Sequence, residues 1–283
     1  MAGLTPPTLI DQPSPPPVPY GLFTVAQGPV PFPMDGMAGG VQYVPNDCDG
    51  SIFVRAIVCP PITGAVSFTS VEGSISGAPF TVYSTYTCGS VGFSQEEATQ
   101  RVTTRLQLRA QTAVEKRLWQ GITSATDGNL TGLFANATPV GFAGCPTEAV
   151  EILEQTLADN NVFGGIIHAR VGLAAHLSNN FLIYERGNQK QTPYGTPYVF
   201  GQGYSGIGPT GQAVGPDTEW MYASGRIIVY RDPDVWVPPY GQVFNRTTNQ
   251  ITLMAQQNYA LIVECGVWAV QVTRSCTSAG GGT

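Results

Sequence analysis

The chain has 283 residues, of which 42% are hydrophobic and only 11% are charged. Ordinary soluble domains carry roughly 25% charged residues, so this low value indicates that much of the surface contacts protein rather than water. The net charge is −6 and the basic residues form no cluster, which argues against strong direct binding to DNA or RNA phosphates. No stretch reaches the roughly 18 apolar residues of a membrane helix, so we expect no membrane partner.

Residues 1–50 are predicted to form an extended arm. Ten prolines occur between Pro6 and Pro33. Because proline fixes φ and lacks a backbone donor, we expect neither a helix nor a central strand in this region. Leu22 and Val25 would not suit a solvated tail, so the arm is expected to become ordered by packing on another surface. The start of the chain also lacks the cationic and apolar regions of a secretory signal.

Residues 51–93 are predicted to be rich in β-structure. Valine, phenylalanine, tyrosine and threonine alternate there with small polar residues and glycines. Residues 51–58 are predicted to form a short strand, and residues 60–92 a hairpin-like excursion. Many apolar residues of this excursion have no obvious local core, so we expect it to pack on a neighbouring copy of the chain.

The strongest helix signal begins at Ser94. Glu97 follows three residues later and completes a capping box, and Gly121 ends the helix after Gln120. A helix of about 26 residues is a rod of roughly 39 Å, which is long for a globular domain. One face carries an apolar stripe at helical spacing, made of Ala98, Val102, Leu106, Ala110, Ala113, Leu118 and Trp119.

A mixed α/β body is predicted after the loop at residues 122–145. Its elements, in chain order, are a helix from Pro146 to Asn161, a strand at 163–170, a helix at 170–180, a strand at 181–185, two strand pieces at 218–231 interrupted at Ser224 and Gly225, and one or two long strands at 249–274. The last residues, rich in glycine, are expected to be a flexible tail.

The motif Gly201-x-Gly203-x-x-Gly206 has the spacing of dinucleotide-binding loops. Such a loop requires a helix directly after it, whose N-terminus binds the phosphate. Here residues 206–216 contain further glycines and prolines, which no helix tolerates, and there is no lysine for a phosphate-binding loop. We therefore expect no cofactor and assign the glycines to turns and close backbone contacts. Packing area in this region is expected from Tyr194, Tyr198 and Tyr204.

The sequence predicts no catalytic residue and no metal ligand, and hence not an enzyme. His168 and His176 have no glutamate in the register of a zinc-protease helix, so we expect core or hydrogen-bonded side chains. A nucleophilic Cys145 beside either histidine is the weaker alternative. The six cysteines form no Cys-x-x-Cys pair and are expected to be reduced and partly buried. Disulfides formed after release into an oxidising medium are the other possibility.

Four segments carry a family resemblance when they are taken in order: "AQTAVEKRLWQG", "PTEAVEILEQTLADNNVFGGIIHARVGLAAHL", "GNQKQTPYGTPYVFGQGYSG" and "EWMYASGRIIVYR". Together with the order of elements over residues 94–274, they resemble the major capsid proteins of tailed double-stranded-DNA bacteriophages with the Hong Kong 97-type fold. The resemblance is greatest to those of actinobacterial phages. It implies an α+β fold with an N-terminal arm, a β-rich extended loop, a long spine helix, and peripheral and axial domains.

This resemblance also implies a division of the chain and a function. The division is an arm at 1–50, a β-rich segment with the extended loop at 51–93, the spine helix and peripheral domain at 94–145, the axial domain at 146–250, and return strands with a flexible tail at 251–283. The implied function is a structural subunit that assembles into hexamers and pentamers of an icosahedral shell. That shell encloses double-stranded viral DNA without binding it specifically.

The implied location is the virion capsid, after assembly in the cytoplasm of a host bacterium. Expected partners are copies of the chain itself, a portal protein, and separate scaffold or decoration proteins. One alternative is an encapsulin-like compartment shell. A second alternative, from another class, is a secreted β-rich hydrolase or adhesin.

Side chains expected at contacts between copies are mostly aromatic. They are Phe68, Phe80, Tyr83, Arg105, Trp119, Tyr194, Tyr198 and Tyr204. Some members of the family join copies by an isopeptide bond from a lysine in the extended loop to an asparagine. The only lysines here are Lys116 and Lys190, neither of which lies in that loop. We therefore expect a shell stabilised without covalent bonds.

Overall fold

The computed structural model describes residues 19–32, 40–43, 75–89, 94–124, 128–238, 244–245 and 250–276. Its helices are α1 (Leu22–Val25), α2 (Gln95–Trp119), α3 (Pro146–Asp159) and α4 (Leu173–Asn179). Short 3-10 turns occur at Leu133–Asn136 and Pro209–Gly211. The predicted strand at 51–58 and Phe68 lie outside the described residues.

Helix α2 is the long helix that the sequence predicts. Ser94 is its N-cap: its hydroxyl accepts from the Glu97 backbone N–H at 3.1 Å, and the Glu97 carboxylate accepts from the Ser94 N–H at 3.0 Å. The predicted apolar stripe is buried along its length, with Ala113 partly buried at its edge. Gly121 follows with φ +77°, a conformation that favours glycine and ends the helix.

A five-stranded sheet packs against α2. Its strands are β1 (Gln27–Pro31), β4 (Pro79–Gly89), β13 (Ile227–Arg231), β14 (Phe244–Asn245) and β15 (Gln250–Val263). Along one path the order is β1-β13-β15-β14, and β4 pairs with β15 in antiparallel register from Gln250–Gly89 to Ala260–Pro79. Two-stranded ribbons are formed by β2 (Val41–Tyr43) with β3 (Ile75–Gly77) and by β5 (Gly121–Ser124) with β6 (Gly128–Thr131).

A seven-stranded sheet forms the second layer. Its strands are β7 (Thr138–Ala143), β8 (Ile166–Arg170), β9 (Tyr184–Arg186), β10 (Gln189–Gln191), β11 (Pro197–Gly201), β12 (Thr218–Ser224) and β16 (Val267–Thr273). The strand order is β7-β16-β12-β8-β11-β10-β9. The boundaries of the two sheets differ from the axial-domain range of 146–250 expected from the sequence. Strands β7 and β16 lie outside that range but belong to this sheet, and β13 lies inside it but belongs to the five-stranded sheet.

The central strands β8, β11 and β12 of the seven-stranded sheet are buried on both faces, and successive side chains of a strand point to opposite faces. On β12, Met221 and Ala223 face the core formed with α3 and α4, whereas Trp220 and Tyr222 face the core formed with α2. This sheet therefore joins two hydrophobic cores, one around the long helix and one around the two shorter helices.

The structure corrects four local predictions. The segment at 122–145, predicted to be a loop, contains β6, β7 and most of β5. In the arm, residues between the prolines form the one-turn helix α1, and Leu22 is fully buried against this chain's own core. In the described part of the arm, β1 contains Pro29 and Pro31 and lies at a sheet edge, where proline is tolerated. Residues 79–89 of the predicted excursion form β4 and bury Phe80 against this chain rather than a neighbouring copy. The strand predicted at 181–185 begins only at Tyr184.

Candidate functional site

A buried carboxylate connects three distant parts of the chain. Glu115, on α2, has no solvent exposure. Its Oε1 accepts hydrogen bonds from the Leu22 backbone N–H at 3.0 Å and from Gln111 Nε2 at 3.1 Å. Its Oε2 accepts from the Gly203 backbone N–H at 2.9 Å. Burial raises the pKa of Glu115 above its usual value, and these hydrogen bonds counteract part of that rise.

Gly203 of the glycine-rich motif is required by this same contact. A Cβ on Gly203 would lie 2.3 Å from the Thr112 carbonyl oxygen and 2.7 Å from Cβ of Glu115. Only a residue without a side chain lets the loop approach α2 closely enough to donate to Glu115. The motif is followed by irregular backbone and a single 3-10 turn, not by the helix that a dinucleotide site needs. We refer to Glu115, Gly203 and the aromatic residues beside them as the central junction.

An aromatic cluster completes the central junction. Trp119 lies with its ring centroid 4.5 Å from that of Tyr204 and 4.4 Å from that of Tyr222. Phe134 stacks on Tyr222 at 5.0 Å. The Ile207 carbonyl oxygen accepts from both Trp119 Nε1 at 2.9 Å and the Tyr222 hydroxyl at 3.0 Å. The end of the long helix is thereby joined to the glycine-rich loop and to β12 by packing and by hydrogen bonds.

His168 is a buried, fully hydrogen-bonded side chain at this junction, as the sequence predicts. Its Nδ1 lies 2.9 Å from the Tyr204 hydroxyl and its Nε2 lies 2.9 Å from Ser224 Oγ. The Ser224 hydroxyl donates to the Gly225 carbonyl oxygen at 2.8 Å, so Oγ is left to accept from His168. These partners assign the neutral imidazole with its proton on Nε2. Burial lowers the pKa of His168 to about 3.

Four of the predicted assembly residues are corrected by the structure. Phe80, Trp119, Tyr198 and Tyr204 are buried within the chain itself. A side chain enclosed by its own chain has no surface left for a neighbouring copy, so these four stabilise the subunit core. Their large apolar area suggested contact between copies, and nothing in the sequence alone distinguishes that role from core packing.

The other predicted assembly residues differ in their surroundings. Tyr194 is 87% exposed and Tyr83 is 48% exposed. Arg105 is exposed but engaged with its own chain, because its Nη1 donates to the Thr85 carbonyl oxygen at 3.1 Å. Phe68 lies outside the described residues. Contact with another copy therefore stays a prediction for Tyr83, Arg105 and Tyr194.

Exposed aromatic side chains that the sequence did not single out occur on the seven-stranded layer. Phe181 is 82% exposed and Phe163 is 69% exposed. Phe163 and Tyr194 line a shallow cavity of about 420 Å³ beside the C-terminal end of α3, together with Leu157 and Pro197. Phe163 and Tyr194 lie around the same cavity, and contiguous exposed apolar patches of this kind mark surfaces that other proteins contact.

The described residues bear on metal binding, membrane spanning and the state of the cysteines. Within the described ranges, no group of three His, Cys, Asp or Glu side chains could bind a metal ion. No helix in that part of the chain is long and apolar enough to cross a membrane. Cys88, Cys145 and Cys276 are free thiols, but Cys265 is disulfide-bonded, which corrects the expectation that every cysteine is reduced.

Comparisons with known proteins identify the fold. No protein-family model and no curated protein matches the chain. Among solved structures, a chain from Mycobacterium phage Bobi superimposes with a TM-score of 0.59 at 10% identity, covering 95% of each chain. The capsid of an empty GTA particle computed with C5 symmetry gives 0.59 at 12% identity, with 95% of each chain covered. A chain from Mycobacterium phage Ogopogo gives 0.55 at 13% identity, covering 95% of this chain and 97% of that one.

These similarities extend over nearly the whole chain and confirm the predicted fold class. The protein has an α+β fold of the Hong Kong 97 type, the fold of phage capsid proteins. The identities are low, so what the chain shares with these structures is its architecture.

Replacing Gly203 tests the close approach at the central junction. We expect Gly203→Ala to lower the free energy of unfolding by about 2–3 kcal/mol, because the new Cβ meets backbone that cannot move aside. Gly172→Ala is the matched control, since its Cβ would meet nothing within 4 Å at an ordinary φ. Denaturant unfolding of both variants measures the difference, and equal effects would contradict the assignment.

The buried His168 predicts a pH dependence of stability. Its pKa is lower in the folded chain than in the unfolded one, so below pH 6.5 only the unfolded chain takes up the proton. Stability is expected to fall by about 2 kcal/mol between pH 7 and pH 5 from this group alone. The free energy of unfolding is measured with denaturant at pH 7 and pH 5 for the unmodified chain and for His168→Gln. The decrease should be about 2 kcal/mol smaller in the variant. An equal decrease in both proteins would contradict the assignment.

Proposed function

We propose that this chain is the major capsid protein of a tailed double-stranded-DNA bacteriophage. In this proposal it assembles into hexamers and pentamers of an icosahedral shell that encloses the genome without binding it specifically. The observation that carries the proposal is the superposition of 95% of the chain on 95% of the capsid chain from the GTA particle. A correspondence over nearly the whole length of both chains is what a shell subunit of the same fold requires.

Several physical features support a subunit that functions only in an assembly. Charged residues make up 11% of the chain, and Phe163, Phe181 and Tyr194 expose large apolar surfaces on one layer. Covering such surfaces removes apolar area from water and favours association. The rigid central junction would keep these surfaces in a fixed relation to the long helix.

We assign the two layers to the domains of the capsid fold. The long helix α2 with the five-stranded sheet forms the peripheral domain. The seven-stranded sheet with α3 and α4 forms the axial domain, with the Thr192–Pro216 segment near the axis of the capsomer. Proposed partners are further copies of the chain, a portal protein, and separate scaffold or decoration proteins. The assembled location is the virion capsid, following assembly in the host bacterial cytoplasm.

Electron microscopy and light scattering of the purified chain test the proposal. Closed particles or capsomers are expected, and a stable monomer at high concentration would contradict it. Genes for a portal, a protease and a terminase beside the coding sequence would distinguish a phage capsid from an encapsulin-like compartment with an enzyme cargo.

Substitution of Tyr194 tests the proposed contact between copies. We expect Tyr194→Asp to reduce the assembled fraction at least about tenfold, because a charge at an apolar contact must lose its hydration. Since Tyr194 is 87% exposed in the subunit, the free energy of unfolding should change by less than about 0.5 kcal/mol. The control Tyr194→Phe keeps the ring and should assemble normally. Normal assembly of the aspartate variant would exclude this surface.

A denaturing gel of intact particles tests the absence of covalent links between copies. Lys190 pairs with Glu185 at 2.7 Å and lies 4.6 Å from the Tyr20 ring centroid, so its ammonium is engaged within its own chain. Lys116 lies exposed on α2. Under reducing conditions we expect a single band at 30.0 kDa. A ladder of multiples of this mass would contradict the expectation and indicate isopeptide bonds.

A further inference from the structure

Two free cysteines meet where neighbouring parallel strands end. Strands β7 and β16 pair in parallel, with Ala143 beside Val272. Cys145 follows the end of β7 by two residues, and Cys276 follows the end of β16 by three residues. The register of the sheet therefore brings together two thiols that are far apart in the sequence. The two side chains interact with each other: this interaction lowers the pKa of Cys145 and raises the pKa of Cys276.

The surroundings of the pair make its two members unequal. Cys145 is the N-cap residue of α3, a helix of 14 residues. The nearby Cys276 thiol, and after it the backbone N–H groups of Glu148 and Thr147 in the first turn of α3, lower the pKa of the Cys145 thiol. Cys276 is exposed, and its sulfur lies 3.7 Å from Asn180 Oδ1. One thiol is thus favoured as a thiolate, and the other is open to solvent.

We propose that Cys145 and Cys276 form a redox-active pair, which closes to an intrachain disulfide by exchange with a small-molecule disulfide. The link would join the end of β16 to the start of α3 and close a loop of roughly 130 residues, a length at which a cross-link strongly restricts the unfolded chain. The inference does not depend on the capsid function, because it rests only on contacts within one chain.

The exchange proceeds in two balanced steps. The Cys145 thiolate attacks one sulfur of the small disulfide, which forms a mixed disulfide and releases one thiolate of the reagent. The Cys276 thiol loses its proton to solvent, and its sulfur attacks the sulfur of Cys145 in the mixed disulfide. This step forms the Cys145–Cys276 bond and releases the second thiolate. Two protein thiols are oxidised, and one reagent disulfide is reduced to two thiols.

Mass spectrometry after treatment with oxidised glutathione tests the proposal directly. The protein is incubated with the reagent, remaining thiols are blocked with N-ethylmaleimide, and the sample is digested with trypsin. Cleavage after Arg117, Arg170 and Arg274 separates Cys145, in residues 118–170, from Cys276, in residues 275–283. We expect these two peptides to be linked in most molecules. The same digestion places Cys265 in residues 247–274, so its own disulfide is distinguished.

Reactivity of the two thiols provides a second readout. In brief treatment with iodoacetamide near pH 7.5, we expect Cys145 to be alkylated several times faster than Cys276, although Cys276 is the more exposed. In Cys276→Ala, which removes the polar neighbour of Cys145, alkylation of Cys145 should slow. Faster alkylation of Cys276, or an unchanged rate in the variant, would overturn the assigned roles.

The stability of the linked form is measured against a matched variant. After the same oxidation, the midpoint of thermal unfolding should be about 5 °C or more higher for the unmodified chain than for Cys276→Ser. Cys88→Ser serves as a control that retains the pair and should keep the increase. Three results would overturn the proposal: absence of the linked peptides, a linked product at twice the subunit mass on a non-reducing gel, or equal midpoints with and without the link.

Discussion

The carboxylate of Glu115 is the constraint on which the rest of this structure depends. A charged group without solvent exposure is costly unless donors surround it, and here the donors come from the arm, the long helix and the glycine-rich loop. Gly203 is required because any side chain at that position would push the loop away from the helix. One acceptor on the long helix thereby fixes the positions of two segments that lie about 90 residues away along the chain in either direction.

This constraint connects the two layers of the molecule. The loop attached to Glu115 leads from β11 toward β12, whose side chains reach both hydrophobic cores. The aromatic cluster packs between the long helix and the seven-stranded sheet. His168 lies beside it and is hydrogen-bonded to Tyr204 and Ser224. In a subunit joined in this way, the two layers keep a fixed position relative to each other. A thin shell of repeated copies requires subunits with such a fixed shape.

The sequence predicts the elements of this fold far better than their contacts. The capping box at Ser94 and the spacing of Val102 and Leu106 depend on nearby residues only, so the sequence predicts the bounds of the long helix to within one residue. Burial of Tyr198 and Tyr204 depends on strand pairing and on a loop that contacts a distant helix, which periodicity does not encode. For this reason side chains expected between copies proved to be core residues. The role of Glu115 had no signal in the sequence beyond an acidic residue near an apolar stripe.

A reconstruction of particles assembled from the unmodified chain, at a resolution that shows side chains, tests the central claim most directly. The account predicts that the Gly203 N–H still donates to Glu115 within each subunit, while Phe163, Phe181 and Tyr194 become covered by neighbouring copies. Particles in which these aromatic residues stay in solvent, or in which the loop has left the long helix, would contradict it.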